Sequence, residues 1–597
     1  MTDAAGLPPP GLILILGGLL LPLLRGAAPA VALALPVLTL AAIWLIPGDL
    51  TVTAPFMDGL TLTVLSWQPA TAVFATIFAL MAFGGALFAH PNTGLDSERG
   101  KRWRVELPAA FVYAGSAICV TFAGDILTLF MFWELMAIGS TIVVWSAGTA
   151  ASGRAGFRYA LVHLVGGVVL MAGILAKVFA LQAAGVADPL SLTHFAFGAA
   201  GFDALSCGPG DVAAWLILLG VLVNAAAPPL GAWLPDAYPE ASESGTVFLS
   251  AFTTKTAVYV LMLLFAGTEL LIYVGLAMAV YGIVYAILEN DMRRILAYSI
   301  VNQVGFMVCG IGIGTAMALN GAAAHAFAHI IYKALLLMSA GSVLYMTGKR
   351  KCTDLGGLYH SMPITMTCGI IGALAISSFP LTSGFVTKSM INQAAADQHL
   401  ALAWFVLTAA SAGVFLHAGI KFPWFVFFQK DSGMRPAEPP LNMRVAMILF
   451  AALCVGLGIP GLYGPLYNIL PFPAPAGQTL YVPYTLSHVI SQLQLLLFSG
   501  LAFFTLLPVL KRTLTITLDS DWLYRRLVPG TWKHLLYPIL ATLGEIRDGF
   551  IGGLPGDIKR VIYSPPQEGV WFREWGLGGA MIVICGILFV YLVLAFT

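Results

Sequence analysis

The stretch "AHAFAHIIYKALLL" (residues 324–337) sets His325, His329 and Lys333 at intervals of four in a run otherwise made of Ala, Phe, Ile, Tyr and Leu. At ~100° per residue, two steps of four return almost to the starting direction, so the three basic groups line one stripe of a helix roughly 12 Å long. Their neighbours on every side are apolar. Such a helix belongs inside lipid or protein, and its basic stripe has to face something other than hydrocarbon.

The rest of the chain sets the stripe in context. It has 597 residues, 59% of them hydrophobic and only 10% charged, with mean hydropathy +0.89. Soluble domains average about 25% charged residues. Apolar runs close to 20 residues long recur from 11–26 to 576–597, each enough to cross a ~30 Å hydrocarbon core. About sixteen can be delimited. Spanning helices satisfy their backbone internally, and no alternating ten-residue segments point to a barrel. The sequence therefore reads as an all-α polytopic membrane protein. A net charge of +1 selects no nucleic acid partner. Seven scattered cysteines without a CxxC pair predict no metal site and no cofactor. The first apolar run follows an uncharged "GLPPPG" and is expected to be a mature helix, not a signal peptide.

Lys and Arg fall in alternate loops: Arg25, "ERGKRWR" (98–104), Arg154 with Arg158, Arg293 with Arg294, "KRK" (349–351), Lys430 with Arg435, and Lys511 onward. The intervening loops 47–68, 184–211, 315–318, 391–399 and 471–486 contain neither. The positive-inside rule then puts the basic loops in the cytoplasm and both termini outside, in the inner membrane of a bacterium. One loop breaks the pattern: after the seventh run come Asp236, Glu240 and Glu243.

Glu134, His163, Lys177, Lys255, His325, His329, Lys333, Lys388, His417 and Lys421 lie inside the apolar runs. An Asp, Lys or Arg at mid-bilayer costs ~2.5–3.5 kcal/mol on insertion scales, so these groups must face the protein interior, pair or meet water. Lys177 and Lys421, near run ends, fit snorkelling. His163 and His417 fit hydrogen-bonded core positions. Glu134, Lys255 and the His–His–Lys stripe sit near mid-run and point to function. Two runs are also interrupted, at "VNAAAPPLGAWLPD" (223–236) and "ISSFPLTSGFVTK" (376–388), where proline removes backbone donors. One broken helix in each half predicts two inverted five-helix repeats. The expected organisation is N-terminal helices 1–106, a first repeat 107–266 broken near 227–229, and a second repeat 267–430 broken near 377–384. C-terminal helices 431–510, a cytoplasmic interfacial segment 511–575 and an anchoring helix 576–597 follow. Within that segment, 531–550 carries a helical apolar stripe.

The motifs "FWELM" (132–136), "WLPDAYPEAS" (233–242), "TTKTAVY" (253–259), "RRILAYSIVNQVGF" (293–306), "HAFAHIIYKALL" (325–336) and "SGFVTK" (383–388) resemble the antiporter-like subunits. These are the large membrane proteins of respiratory complex I and of Mrp-type multisubunit cation/proton antiporters. The resemblance covers roughly residues 105–430. It implies a subunit that conducts protons rather than an enzyme in itself, working with other membrane subunits of a hetero-oligomeric complex in the lipid bilayer and exchanging protons for Na+. It also implies a mid-membrane proton path through Glu134, Lys255, His325, His329, Lys333 and Lys388. The same resemblance leaves open a complex I-like or membrane-bound hydrogenase-like redox complex, or an inorganic-carbon uptake complex. The chain departs from the pattern at Asn224, where the family has a lysine that pairs with the glutamate, and at Gly231, where a histidine is common. Glu134 thus loses the opposite charge that would favour its ionised form. Arg158, or Lys255 through water, would have to substitute, with Asn224, His163, His417 and Lys421 as auxiliary groups. Histidine suits a relay because one ring nitrogen can take a proton while the other gives one.

Overall fold

The computed structural model describes residues 8–57, 60–91, 94–202, 212–473 and 480–508, with scattered residues between 519 and 538. The chain divides into two compact units: residues 1–54 with 62–517, and residues 55–61 with 518–597. Of the second unit, one helical turn, Val528–Thr531, is described. Most of the helix expected over 531–550, and all of the run 576–597, lie outside the described residues.

The first unit is built from helices. In chain order they are α1 (Gly11–Leu20), α2 (Ala28–Leu45), α3 (Thr71–Ala89), α4 (Glu98–Phe122), α5 (Ile126–Trp145), α6 (Ala150–Ala183) and α7 (Val212–Asn224). The short α8 (Trp233–Ala237) leads to α9 (Glu243–Leu249), α10 (Thr253–Leu264), α11 (Leu270–Leu288), α12 (Met292–Ile313) and α13 (Ala316–Thr347). Then come α14 (Pro363–Ile376), α15 (Ser383–Asp397), α16 (Ala401–Val414), α17 (Leu441–Gly456), α18 (Gly464–Asn468) and α19 (Leu486–Leu506). Among the described residues, eleven helical segments are long and apolar enough to cross a membrane, and four shorter apolar helices accompany them. Side-chain caps mark several starts: Ser97 for α4, Asp125 for α5, Thr149 for α6 and Asp291 for α12. α12 is buried along its whole spanning window and α13 along almost all of its own, whereas α19 is mostly exposed. The helices that bear the ionisable stripe are therefore the central ones.

Residues 107–266 and 267–430 share features at matching places. Asp125 caps α5 and pairs with Ser191 after α6; Asp291 caps α12 and pairs with Lys351 after α13. α7 stops at Asn224, and Ala226 turns the chain at φ 61°. α14 stops at Ile376, and Ser378 turns the chain at φ 58°. After each break a glycine seats on a carbonyl before it. A Cβ at Gly231 would overlap the Ala226 carbonyl, and one at Gly384 would overlap that of Ala375. No side chain fits at Gly231 with the backbone in this place.

Two runs that read as continuous in the sequence are divided. The run near 246–266 is α9 and α10, because the Tyr113 hydroxyl enters the helical ladder between them. It accepts the Thr253 amide at 2.9 Å and reaches the Leu249 carbonyl at 3.4 Å. A side chain inserted between i and i−4 partners is one of the few causes of a sharp kink. The run near 443–470 is α17 and α18, separated at the glycines and proline of "GLGIPGLYGP" (456–465).

Candidate functional site

His325, His329 and Lys333 on α13 are all fully buried. Lys333 Nζ donates to Ser299 Oγ at 2.8 Å and lies 3.4 Å from the Leu296 carbonyl, both on α12. Gln303, one helical turn further along α12, places Oε1 3.1 Å from His325 Nε2 and accepts the Tyr332 hydroxyl at 3.0 Å. Its amide nitrogen is turned to the Asn302 side-chain oxygen Oδ1, which leaves Oε1 facing His325 and Tyr332. His325 Nδ1 faces Thr387 Oγ1 at 3.2 Å on α15. Thr387 Oγ1 also lies 3.1 Å from the Ser383 carbonyl, so its single proton can turn either way. One residue later, Lys388 Nζ donates at 3.0 Å to the Ile376 carbonyl, which the break after α14 leaves free of a helical partner, and lies 4.9 Å from the centre of the Phe306 ring.

His329 differs from its neighbours. Its ring lies edge-to-face on Tyr332 with centres 5.2 Å apart and 6.3 Å from that of His325, yet neither ring nitrogen has a hydrogen-bond partner among the described residues. A buried polar group normally finds one, so an exception needs an explanation.

Lys255 occupies the kink between α9 and α10. Its Nζ donates to the Ser250 carbonyl at 2.6 Å, an acceptor exposed by the kink, and to Thr254 Oγ1 at 3.0 Å. α10 packs on both α7 and α13. Lys255 on α10, Lys333 on α13 and Lys388 on α15 thus lie on helices that pack on one another. Among the described residues, Lys255, Lys333 and Lys388 form no ion pair; each donates to neutral oxygens. Buried amines held this way can exchange a proton without breaking a salt bridge.

The first half is arranged differently. Glu134 on α5 lies against Gly167 of α6, where a Cβ would overlap the carboxylate, and its Oε1 has no partner. The adjacent Gly166 meets Val223 of α7, so one turn of α6 stands between Glu134 and the Asn224 end of α7. Asn224 Nδ2 is buried without a partner. Arg158 grips Asp236 with two bonds of 2.7 and 2.8 Å, and Lys255 is engaged at the kink. His163 gives Nδ1 to the Tyr159 carbonyl at 2.9 Å and stacks on the Tyr159 ring, while its Nε2 is unpartnered. His417 repeats this in the other half, with Nδ1 2.8 Å from the Gly413 carbonyl and Nε2 unpartnered. Lys421 closes the end of α11, donating to the Ile287 and Glu289 carbonyls at 2.5 Å each, a favourable place for a cation. Lys177 lies 5.6 Å from the Phe197 ring centre.

The acidic loop that broke the charge pattern is where distant arginines converge. Arg102 pairs with Glu243 at 2.7 Å, Arg158 with Asp236, and Arg350 with both Glu240 and Asp291 at 2.8 Å. Burial pushes the Asp291 carboxyl up, against the opposing pull of Arg350. Arg293 donates to the Pro239, Ala241 and Ser242 carbonyls and to Thr246. Glu106 accepts from Ser242, Ser244 and Ser146. The N-terminal turns of α4 and α6, which read as loops in the sequence, and the loop after α13 thus share one end with residues 236–243, which supply their counter-charge. Sequence reading missed Gln303, Tyr332, Thr387, Ser299 and Glu106 as partners; only the misplaced acidic loop signalled the last of these.

The family model "NADH:quinone oxidoreductase/Mrp antiporter, TM" matches residues 123–415. The chain is 30% identical to one of the proteins of a probable K(+)/H(+) antiporter of Rhizobium meliloti, over 58% of its own length and 35% of that protein. It is also 30% identical to NADH-quinone oxidoreductase subunit N of Desulforudis audaxviator, over 52% of its own length and 63% of that protein. The chain thus spans about a third of the first relative and under two thirds of the second. A chain in the structure of the Mrp complex from Dietzia sp. has the same fold, with TM-score 0.66 at 21% identity, covering 82% of this chain and 99% of that one. The protein is a multi-pass membrane protein.

Proposed function

The chain belongs to the NADH:quinone oxidoreductase/Mrp antiporter membrane family, and on that premise we propose that it is the proton-translocating subunit of a multisubunit monovalent cation/proton antiporter-type complex. The observation that carries the reading is the run of buried groups along α13 and its neighbours. Three amines that have no counter-ion among the described residues flank two imidazoles, one of them bridged by Gln303, Tyr332 and Thr387. Ammonium groups in one dry compartment repel strongly. A proton arriving at Lys255 therefore favours departure of another from Lys333, through His329 and His325 to Lys388 at the second break. Lys255 joins the halves because α10 packs on both α7 and α13. Glu134 feeds the first half, with Asn224 and His163 as polar neighbours along it.

The complex, reconstituted in liposomes under a pH gradient, is expected to move protons faster when Na+ or K+ is added. A second reading, the membrane arm of a redox enzyme, is favoured by the 30% identity to the NADH-quinone oxidoreductase subunit over 63% of its length. Mass spectrometry of the purified complex separates the two: iron–sulfur subunits with cation-independent flux would favour the redox arm.

Orientation follows from the basic end. Lys349→Cys is expected to react only with reagents that cross the membrane, and Gln398→Cys with impermeant ones. Reversed labelling would place Lys388 on the entry side of the path.

A further inference from the structure

Helix α19 lies beyond residues 123–415, the part matched by the family, and its faces are unusual. Leu486, Leu493, Leu497, Phe498 and Leu501 are exposed, as suits a helix against lipid. Four of its polar residues, His488, Ser491, Gln492 and Ser499, instead fall on one helical stripe. That stripe turns inward. Gln492 Nε2 donates to the Ser377 carbonyl at 3.0 Å, within the break between α14 and α15. His488 Nε2 meets Gln393 Oε1 at 3.1 Å, and the Gln393 amide donates to Asp397 Oδ1 at 2.7 Å.

Between α15, α16 and α19 lies a cavity of about 270 Å³, walled by Lys388, Ser378, Asn392, Ser411, His488 and Ser491 among others. Ser378 Oγ, Asn392 Oδ1 and Ser411 Oγ are buried there without a partner among the described residues, and Ser378 and Ser411 are only 3% and 1% exposed. Orphaned polar atoms around a space with room for several waters of ~30 Å³ each mark a hydrated site. The walls grade from buried Lys388 to exposed Ser491.

We propose that α19 completes the mouth of the Lys388 half of the path: its polar stripe holds a water-filled vestibule through which Lys388 exchanges its proton with the solution. The inference rests on the proton-path reading above. Lys388 Nζ gives a proton to a cavity water, the excess proton leaves along the water past His488 and the Gln393–Asp397 pair, and Lys388 is reloaded from His325.

The test uses the full chain in its complex. Ser389→Cys and Ser491→Cys are expected to react with a charged, impermeant thiol reagent faster than the parent chain, while Leu493→Cys on the apolar face does not. Ser491→Trp, which fills the cavity, is expected to lose most of the proton flux, and Leu493→Trp on the apolar face to keep it. Absence of that labelling pattern overturns the vestibule. So does native flux in Ser491→Trp where Lys388→Ala has none. Native flux in Lys388→Ala would instead sink the path reading itself, a result the labelling does not depend on.

Discussion

Lys255→Ala is expected to abolish proton flux while the complex still assembles. The amine donates to one carbonyl and one hydroxyl at the α9–α10 kink and pairs with no carboxylate among the described residues. Its loss leaves the Ser250 carbonyl unsatisfied, a cost of about 1–3 kcal/mol, which a chain with this much buried surface can absorb. The kink itself depends on Tyr113 and stays. Transport has no such reserve. Lys255 is the basic group of α10, the helix that packs on both α7 and α13, so without it nothing in the first half drives the second. Flux and thermal stability measured on the same purified preparation separate the two effects. Native flux in the assembled variant would remove Lys255 from the path.

Arg293→Ala is expected to produce the opposite pattern, with the complex failing before transport can be read. The guanidinium is 3% exposed and donates to three carbonyls of the 239–242 segment at 2.7–2.9 Å. Removing a buried charged partner costs roughly 3–5 kcal/mol, because the groups it satisfied stay buried. Arg293→Lys should recover only part of the loss, since an ammonium cannot match the planar fork that spans these acceptors. The measurement is the thermal midpoint of the purified complex. A midpoint within a degree or two of native in Arg293→Ala would show that the segment holds without its clasp.

Much of this architecture is legible in the sequence because lipid makes it so. Runs of apolar residues announce spans, Pro228 with Pro229 announces the break after α7, and a stripe at intervals of four announces a buried face on α13. Each is a local pattern. The rest depends on partners far away in the chain. The kink at 250–252 is made by Tyr113, about 140 positions distant, and nothing in "FLSAFTTKTAVY" (248–259) betrays it. Gln303, Tyr332 and Thr387 are neutral and cost little in a helix, so they do not stand out as Lys and His do. They become visible only when α12, α13 and α15 meet. The acidic residues 236–243 looked like an exception to the charge rule until Arg102 from α4, Arg158 from α6 and Arg350 from the loop after α13 met them. Arg158 shows the limit most plainly: a basic group near Glu134 in the sequence reading is bound to Asp236 in the structure.

The proton path is tested most directly at His329. Its ring nitrogens have no hydrogen-bond partner among the described residues and its side chain is fully buried, so within them the imidazole contributes packing but no polar contact. Replacing an unsatisfied polar group by an apolar one of similar size is close to neutral for stability. His329→Leu should therefore assemble with its thermal midpoint unchanged. Proton flux in liposomes, native against His329→Leu, is the measurement. If protons cross by way of the α13 stripe, flux falls to the background of empty liposomes at unchanged stability. Full flux in His329→Leu would show that the stripe is packing and that protons cross elsewhere.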